Sequence, residues 1–382
     1  MHMRSTSEPL DDGLRYRALD GYRFVAALCV VIFHYNIDFH LQLEHVFPAI
    51  EGFGVMVDMF FLLSGFVIAK AYLRRMGGLA DYRRFLHARL ARIYPLHLLS
   101  LLASLCLLAV ILAAHVPVNH MEMYALSALP ANLLLLHAWG FTDHLSFNAA
   151  SWSISAEWFV YLLTPLFFAL ARRFDFRTNL LVAAGSLAAI EALRHFAGLG
   201  PIWGANCDYG MLRAVPTFFL GVSLSVKIEQ LPKRIAPPWW SVHGLFALAI
   251  AGLWLGVPYE AVIVIFALLI AGAAMAERRG DATFMSGRVM ARLGDASYSL
   301  YMLHGLVAAP VLFVARRFGV TEGPLSYVAA IFAIAAVVGI SVAVYSAVEL
   351  PLRRHFGPRP ATKGSADQPG LARLSALGEG AR

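Results

Sequence analysis

The chain has 382 residues, of which 59% are hydrophobic and 14% are charged, and its mean hydropathy is +0.65. A soluble globular domain carries about 25% charged residues. Apolar runs of roughly twenty residues recur from Phe24 to Leu350, and they exclude a disordered chain, a small secreted domain and an enzyme with a single anchor. The net charge of +7 fits cationic residues gathered in cytoplasmic loops, as membrane proteins show, better than nucleic-acid binding.

The apolar runs predict an all-α, polytopic integral membrane helical bundle of about ten transmembrane helices. The expected spans are 20–37, 53–73, 95–115, 153–171, 178–196, 210–227, 240–256, 259–276, 297–315 and 325–348. An eleventh apolar segment, 121–139, is interrupted by Pro130 and followed by polar residues. If it also crossed, the later basic loops would be on the wrong side, so we expect a re-entrant or interfacial segment at the outer face.

With ten spans, all but four of the 31 Lys and Arg residues fall on the side of the N-terminus or at that end of the first span. The exceptions are Arg194, Arg213, Arg316 and Arg317. The positive-inside bias therefore predicts that both termini are cytoplasmic. We expect a cytoplasmic N-terminal tail over 1–18, one transmembrane domain over 19–352, and a cytoplasmic, disordered tail over 353–382, which is rich in Gly, Ala, Ser and Pro.

The three cysteines indicate neither a disulfide framework nor a metal site. Cys29 and Cys106 lie inside apolar runs, and only Cys207 lies in a polar connection. We expect them to be packing residues.

The first span contains two ionisable residues, Arg23 and His34, whose insertion into a membrane costs free energy. Eleven helical steps make about three turns, so both side chains share one face, about 16 Å apart in depth. A lone intramembrane histidine is often only a hydrogen-bonded packing residue, and that alternative stays open for His34.

The second span places Asp58 near the outer face and the pair Ser64-Gly65 near mid-membrane. Packing through small residues is the simpler explanation of the Ser-Gly pair. Asp58 is harder to explain by packing, since an ionisable group within a span costs about 2.5 to 3.5 kcal/mol.

Glu157 lies in the span that begins Trp152-Ser-Ile-Ser-Ala-Glu, at a depth similar to that of His34. A carboxylate bonded to one imidazole nitrogen fixes the tautomer and raises the basicity of the other nitrogen, which suits a general base. A purely structural pair of histidine and carboxylate is the alternative.

Arg89 and Arg92 precede Tyr94-Pro95 and are three residues apart, so on a helix they share a face. Paired guanidinium groups suit phosphate oxygens. Contact with anionic lipid headgroups is the ordinary alternative.

The run that opens the ninth span, Gly294-Asp-Ala-Ser-Tyr-Ser-Leu-Tyr-Met-Leu-His304, contains good N-cap residues. His304 is two turns into this span, where it can line a cavity or simply pack. Glu349 closes the last span, and we expect it to pair with a nearby arginine.

A polar and aromatic cluster surrounds the outer ends of the fifth and sixth spans. It consists of Arg194, Trp203, Asp208, Tyr209 and Arg213. Such residues suit sugar binding, but an ordinary interfacial belt is the favoured interpretation.

Taken in order, these motifs resemble the acyltransferase family 3 membrane enzymes over residues 18 to about 352. The resemblance rests on Arg23-x10-His34, Phe60-Phe-Leu-Leu-Ser-Gly-Phe66, Arg89-x-x-Arg92, Trp152-Ser-Ile-Ser-x-Glu157 and Gly294-Asp-x-Ser-Tyr-Ser-x-Tyr-x-x-His304. Ile154 stands where the family more usually has Leu.

The resemblance implies transfer of an acyl group, usually acetyl from acetyl-CoA, to a hydroxyl of an extracytoplasmic carbohydrate such as O-antigen, exopolysaccharide or another envelope glycan. It implies a multi-pass protein of the bacterial cytoplasmic (inner) membrane whose partners are lipids, an acyl-CoA and a glycan acceptor, with no nucleic acid and no metal. The oligomeric state stays open.

Within that reaction His34 is the expected general base, and Glu157 or Asp58 is expected to orient its imidazole. Arg23 is a candidate contact for pantetheine or a neighbouring carboxylate, and Ser64 a candidate oxyanion donor.

Arg89 and Arg92 are the expected ligands of the CoA nucleotide, and Tyr94 and His304 join them as candidate donor-binding residues. Direct transfer and an acylated His34 both remain open.

Two rival functions follow from the same residues. A bundle with buried His, Asp, Glu and Arg also suits a proton-coupled transporter or flippase. The other rival is an acyltransferase that uses succinyl-CoA, or one that modifies a small cytosolic acceptor such as an antibiotic sugar.

Overall fold

A computed structural model describes residues 15–115, 120–320 and 323–357. Of the predicted tails, 1–18 and 353–382, the stretches 1–14 and 358–382 lie outside the described residues. The described part of the chain is helical, and its α-helices are α1 (Arg17–Asp38), α2 (Met56–Tyr72), α3 (Leu79–Ala113), α4 (Leu129–Leu133), α5 (Trp152–Leu162), α6 (Thr164–Arg173), α7 (Phe176–Phe196), α8 (Met211–Gln230), α9 (Trp239–Trp254), α10 (Tyr259–Arg279), α11 (Arg288–Asp295), α12 (Ser297–Arg317), α13 (Pro324–Val344) and α14 (Leu350–Phe356).

Eight of these helical segments are long and apolar enough to cross a membrane, and the pair α5 and α6, bent by 54°, raises the number to nine. The tenth predicted span is α9, which has only 16 residues. It nevertheless runs from one end of the bundle to the other, because His243 near its start bonds to Tyr22 at the start of α1, while Trp254 at its end packs on Phe47, which follows α1. The prediction of a polytopic helical membrane bundle is confirmed.

The two ends of the bundle differ in charge. The end where α1 begins and α2, α8 and α10 finish is called the basic end, and the other the opposite end. At the basic end, Arg15 pairs with Asp295, and the backbone N–H of Ala18 donates to Glu277. Lys70 at the end of α2 meets Glu229 at the end of α8, 2.6 Å away. These contacts align the helix ends as alternating crossings require.

Helix α3 is longer than the predicted span. It begins at Leu79, contains Pro95 and runs for 35 residues, about 52 Å at 1.5 Å per residue. A hydrocarbon core is about 30 Å thick. Arg89 and Arg92 are therefore held on a rigid helix rather than on a connecting loop.

The segment 121–139, called the re-entrant segment below, does not form a crossing helix. It contains two short 3₁₀ helices and the five-residue α4. Ala128, within it, packs with Leu101 of α3 and with Phe147 beyond it, and the Phe147 N–H donates to Met123 O at 2.7 Å. The chain thus enters and leaves this region on the same side of α3, in agreement with the prediction.

Helices α2 and α8 form the closest packing in the core. A Cβ on Gly65 would lie 2.0 Å from Phe218 O, and a Cβ on Gly221 would lie 2.1 Å from Leu62 O. This contact confirms the packing explanation of Gly65, and it fixes the height of the neighbouring Ser64.

Candidate functional site

His34 lies on α1, about 26 Å along the helix from its first residue at 1.5 Å per residue. Its Nδ1 is 2.9 Å from Val30 O. A carbonyl oxygen only accepts, so Nδ1 carries the proton and Nε2 keeps a free lone pair in the neutral ring. The ring edge also contacts Phe33, with centroids 5.1 Å apart. His34 is therefore presented as a neutral base with Nε2 available.

His304 lies beside His34. The ring centroids are 4.8 Å apart, and the Nδ1 of His304 is 2.6 Å from Tyr301 O. The same reasoning leaves its Nε2 without a proton. Its backbone carbonyl accepts from the Tyr35 hydroxyl at 2.9 Å. The structure thus places His304 beside His34 rather than beside the two arginines of α3. Any contact of His304 with the donor would therefore be near the proposed base and not at the arginines.

Glu157 and Ser64 meet on neighbouring helices. The Ser64 hydroxyl donates to Glu157 Oε1 at 2.6 Å, and the Tyr161 hydroxyl donates to the same oxygen at 2.5 Å. In the described part of the chain no hydrogen bond joins Glu157 to His34. The expected carboxylate backing of the imidazole is therefore absent from this structure: similar depth on two helices does not fix which side chains face each other.

Asp58 also lies away from the imidazole. Arg213 Nε is 3.0 and 3.1 Å from its two oxygens and Nη2 is 2.5 Å from Oδ2, while the Tyr259 hydroxyl donates at 2.8 Å. Both carboxylate oxygens are engaged, and Asp58 is fully buried. The expectation that Asp58 orients His34 is corrected: its place is in a buried ion pair.

Arg213 is a residue whose role the sequence interpretation missed. Besides Asp58 it contacts Gly54 O and Trp203 O and lies over the Trp152 ring. The sequence signal for a buried role was that Arg213 is one of the four arginines outside the basic segments. The sequence interpretation nevertheless assigned Arg213 to an interfacial belt.

The belt interpretation suits the exposed aromatic residues of the same cluster. Trp203 is 55% and Tyr209 45% exposed. Arg194 departs from it, because it is buried and binds Asp208 at 2.6 Å.

Arg23 is half-buried and pairs with Asp20 at 3.0 Å. This is the second of the two contacts expected for it, a neighbouring carboxylate.

Arg89 and Arg92 lie on one face of α3, as predicted. Arg89 Nη2 donates to the Tyr72 hydroxyl at 3.3 Å, and its buried Nε has no hydrogen-bond partner among the described residues. Arg92 Nη1 is 3.1 Å from Glu349 Oε1, which confirms the pairing expected for Glu349. The Ser299 hydroxyl donates to the other oxygen of Glu349. Arg89 thus keeps unused donors, whereas Arg92 is already paired.

Tyr94 faces elsewhere. Its hydroxyl donates to Leu133 O in the re-entrant segment at 3.1 Å. Five steps along a helix rotate a side chain by about 140°, so Tyr94 does not share the face of Arg89. The structure therefore does not bring Tyr94 together with Arg89, and the donor-binding role of Tyr94 stays a prediction.

A series of side chains on α12 lies between the arginines and the histidines. Tyr298, Tyr301 and His304 follow at steps of three residues, so successive members are neighbours in a row that turns by about 120° around the helix. Arg92 lies over the Tyr298 ring at 5.8 Å, and the Tyr301 and His304 rings are 5.9 Å apart. The three-residue spacing is visible in the sequence between Gly294 and His304, but that run was interpreted mainly as a helix cap.

Comparison with known proteins identifies the fold as that of a known family. The family model described as an acyltransferase domain matches residues 16–345. The chain belongs to acyltransferase family 3. It is therefore a multi-pass membrane acyltransferase, and the transporter alternative is not retained.

Two relatives are similar to the chain, and the first of them is named as an acyltransferase. Acyltransferase MdmB of Streptomyces mycarofaciens is 29% identical over 318 residues, which cover 77% of this chain and 79% of the relative. Protein 2 in the picA locus of Rhizobium radiobacter is 35% identical over 153 residues, covering 38% of this chain and 74% of the relative. No solved structure matches the chain significantly.

The site contains no evident metal centre. Within 15–115, 120–320 and 323–357, no group of three or more His, Cys, Asp or Glu residues is arranged to hold a metal ion. The three cysteines are free, with Cys29 and Cys207 buried and Cys106 exposed.

Proposed function

We propose that this family member transfers an acetyl group from acetyl-CoA to a hydroxyl of a carbohydrate on the far side of the cytoplasmic (inner) membrane, with both termini in the cytoplasm. The observation that carries the proposal is the row of side chains along α12, which leads from Arg92 past Tyr298 and Tyr301 to His304 and His34. A donor held at the basic end and an acceptor entering from the opposite end can meet along this row.

The donor end of the path is α3. Guanidinium groups bind phosphate oxygens through charge-assisted bonds. Arg89, with an unsatisfied buried Nε and a single side-chain bond, is the stronger candidate for this role. Arg92 would have to share its guanidinium between a phosphate and Glu349.

His34 is the proposed general base. As the acceptor oxygen attacks the thioester carbon, its proton passes to Nε2 of His34, the C–O bond forms and the C–S bond breaks with its electron pair on sulfur. The imidazolium then returns the proton to the thiolate of CoA. Such proton transfer contributes roughly 10²- to 10⁴-fold. Acylation of His34 itself, followed by a second transfer, uses the same lone pair.

Glu157, Ser64 and Tyr161 form a polar cluster that we place beside the thioester. Ser64 would reach an oxyanion only by releasing Glu157, to which it now donates. Arg23, already paired with Asp20, and Asp58, held by Arg213, are proposed to support the helices rather than to touch the reacting atoms.

The base is tested by His34→Gln in the purified full chain, with the exposed His195→Gln as matched control. Acetyl-CoA consumption with a glycan acceptor should fall at least 100-fold in the first variant and stay near wild type in the second. Retained turnover in a correctly inserted His34→Gln protein refutes the assignment.

The donor site is tested by Arg89→Gln against Arg83→Gln, an exposed arginine on the same helix. Binding of acetyl-CoA should weaken about tenfold or more in Arg89→Gln, while binding of S-acetylpantetheine, which lacks the phosphates, should not change. Equal loss for both ligands contradicts a phosphate contact. Succinyl-CoA in the same assay decides between the two donors.

A further inference from the structure

A cavity of about 380 Å³ opens at the opposite end of the bundle, where α1 finishes. Its volume is within the range of small-molecule pockets, about 300 to 1,000 Å³. Phe33 and Ile37 of α1 form its apolar wall. Phe33 also contacts the His34 ring, so this aromatic side chain belongs both to the cavity wall and to the surroundings of the proposed base.

The remaining lining is polar and includes two carboxylates. Asn36, Gln42, Glu44 and Glu51 face the cavity, and His40 completes it. Amides, carboxylates and one aromatic ring are groups that hydrogen-bond hydroxyls and pack against a sugar ring. An acyl chain would leave these polar groups unsatisfied.

The two carboxylates give the cavity its charge. Asn36 Nδ2 donates to Glu44 Oε2 at 2.6 Å, and this bond holds the pKa of Glu44 below its ordinary value. Glu44 is therefore ionised near neutral pH. Glu51, on the 3₁₀ helix Pro48–Val55, is exposed. Asp38, at the end of α1, interacts electrostatically with Arg316 and with His40.

We infer that this cavity is the acceptor-binding site and that it selects a hydroxylated acceptor bearing a positive charge, such as an amino sugar. The inference rests on the proposed function for the direction from which the acceptor enters. An acceptor with a carboxylate or a phosphate would meet two like charges, whereas a protonated amine gains an attraction to each. The apolar wall leads the bound hydroxyl toward His34.

The experiment measures binding without any acyl donor, on the full chain in lipid nanodiscs. Three methyl glycosides serve as probes: a neutral glucoside, a glucuronide, and a dimethylamino-deoxyglucoside whose tertiary amine forms no stable amide. The aminated probe should bind about two- to fivefold more tightly than the neutral one, as expected for partly exposed charge pairs. The glucuronide should bind most weakly.

Glu51→Gln should reduce the preference for the aminated probe over the neutral probe, because Glu44 is then the one carboxylate left in the lining. Glu260→Gln, an exposed carboxylate at the start of α10 on the same end, is the matched control and should keep the preference. Equal affinity for all three probes, or the same behaviour of the two variants, overturns the inference.

Addition of acetyl-CoA separates this inference from the proposed function. Glu51-dependent binding of the aminated probe without any acetyl transfer would reject the proposed function and leave the cavity assignment standing. Transfer to neutral and anionic glycans that does not depend on Glu51 would reject the cavity assignment and leave the proposed function standing.

Discussion

Replacing Gly65 by alanine should separate α2 from α8. The added Cβ would lie 2.0 Å from Phe218 O, a backbone atom that no rotamer change can move. Carbon atoms pack at about 3.5 to 4 Å, so one helix must withdraw by more than about 1 Å. Overpacking of this kind costs about 1 to 3 kcal/mol. The reciprocal contact of Gly221 with Leu62 O makes sideways escape difficult, so we expect the upper part of that range.

The consequence for activity follows from the chain. Ser64 precedes Gly65, and its hydrogen bond to Glu157 spans 2.6 Å. A shift of about 1 Å breaks a bond of that length, so the rate of acyl transfer should fall together with thermal stability. Thermal unfolding in detergent and a transfer assay on the same sample measure both quantities.

Gly185→Ala is the control for this prediction. Gly185 lies within α7, where an added Cβ meets nothing within 4 Å. Alanine is favoured over glycine inside a helix by about 0.5 to 1 kcal/mol, so this variant should be as stable as wild type or slightly more so. A Gly65→Ala protein that matches Gly185→Ala in stability and rate would refute the close approach of α2 and α8.

Two further variants probe the buried polar groups. Asp58→Asn leaves the Arg213 guanidinium buried without a counter-charge, and it should destabilise the protein by about 3 to 5 kcal/mol; an unchanged denaturation midpoint in detergent contradicts this expectation. Tyr161→Phe removes a hydroxyl 2.5 Å from Glu157 and should lower the transfer rate roughly tenfold, the equivalent of one charge-assisted hydrogen bond. Tyr94→Phe, which loses only a bond to the re-entrant segment, should stay near wild type, and equal effects of the two tyrosine variants would count against a role for the Glu157 cluster.

The crossings were predictable because each is encoded locally. A run of about twenty apolar residues specifies a helix that spans the bilayer, and the basic residues assign its direction. The re-entrant segment followed from the same reasoning, since Pro130 and the polar residues after it cannot continue an apolar helix. Helix α3 was predicted too short because its first turns are polar, and hydropathy does not detect a helix that continues outside the membrane.

The partners of the site residues were less predictable. Depth along a helix follows from the rise per residue, and it predicted a similar depth for Glu157 and His34. It did not predict the hydrogen bond between Ser64 and Glu157. Lateral arrangement depends on how helices distant in sequence pack. Asp58 and Arg213 are 155 residues apart. No local pattern in the sequence indicates that α2 and α8 are neighbours.

Among the described residues no carboxylate is hydrogen-bonded to His34, and this affects how the proposed base would work. A carboxylate would raise the basicity of the imidazole, but it would also place a charge in a region where an ionisable group costs about 2.5 to 3.5 kcal/mol. The Val30 carbonyl fixes the same tautomer without a charge. The His304 ring, whose centroid is 4.8 Å from that of His34 and whose Nδ1 is held by Tyr301 O, places a second imidazole beside the proposed base. On the proposed mechanism the rate would then depend on how the thioester and the hydroxyl are positioned rather than on a strongly basic histidine.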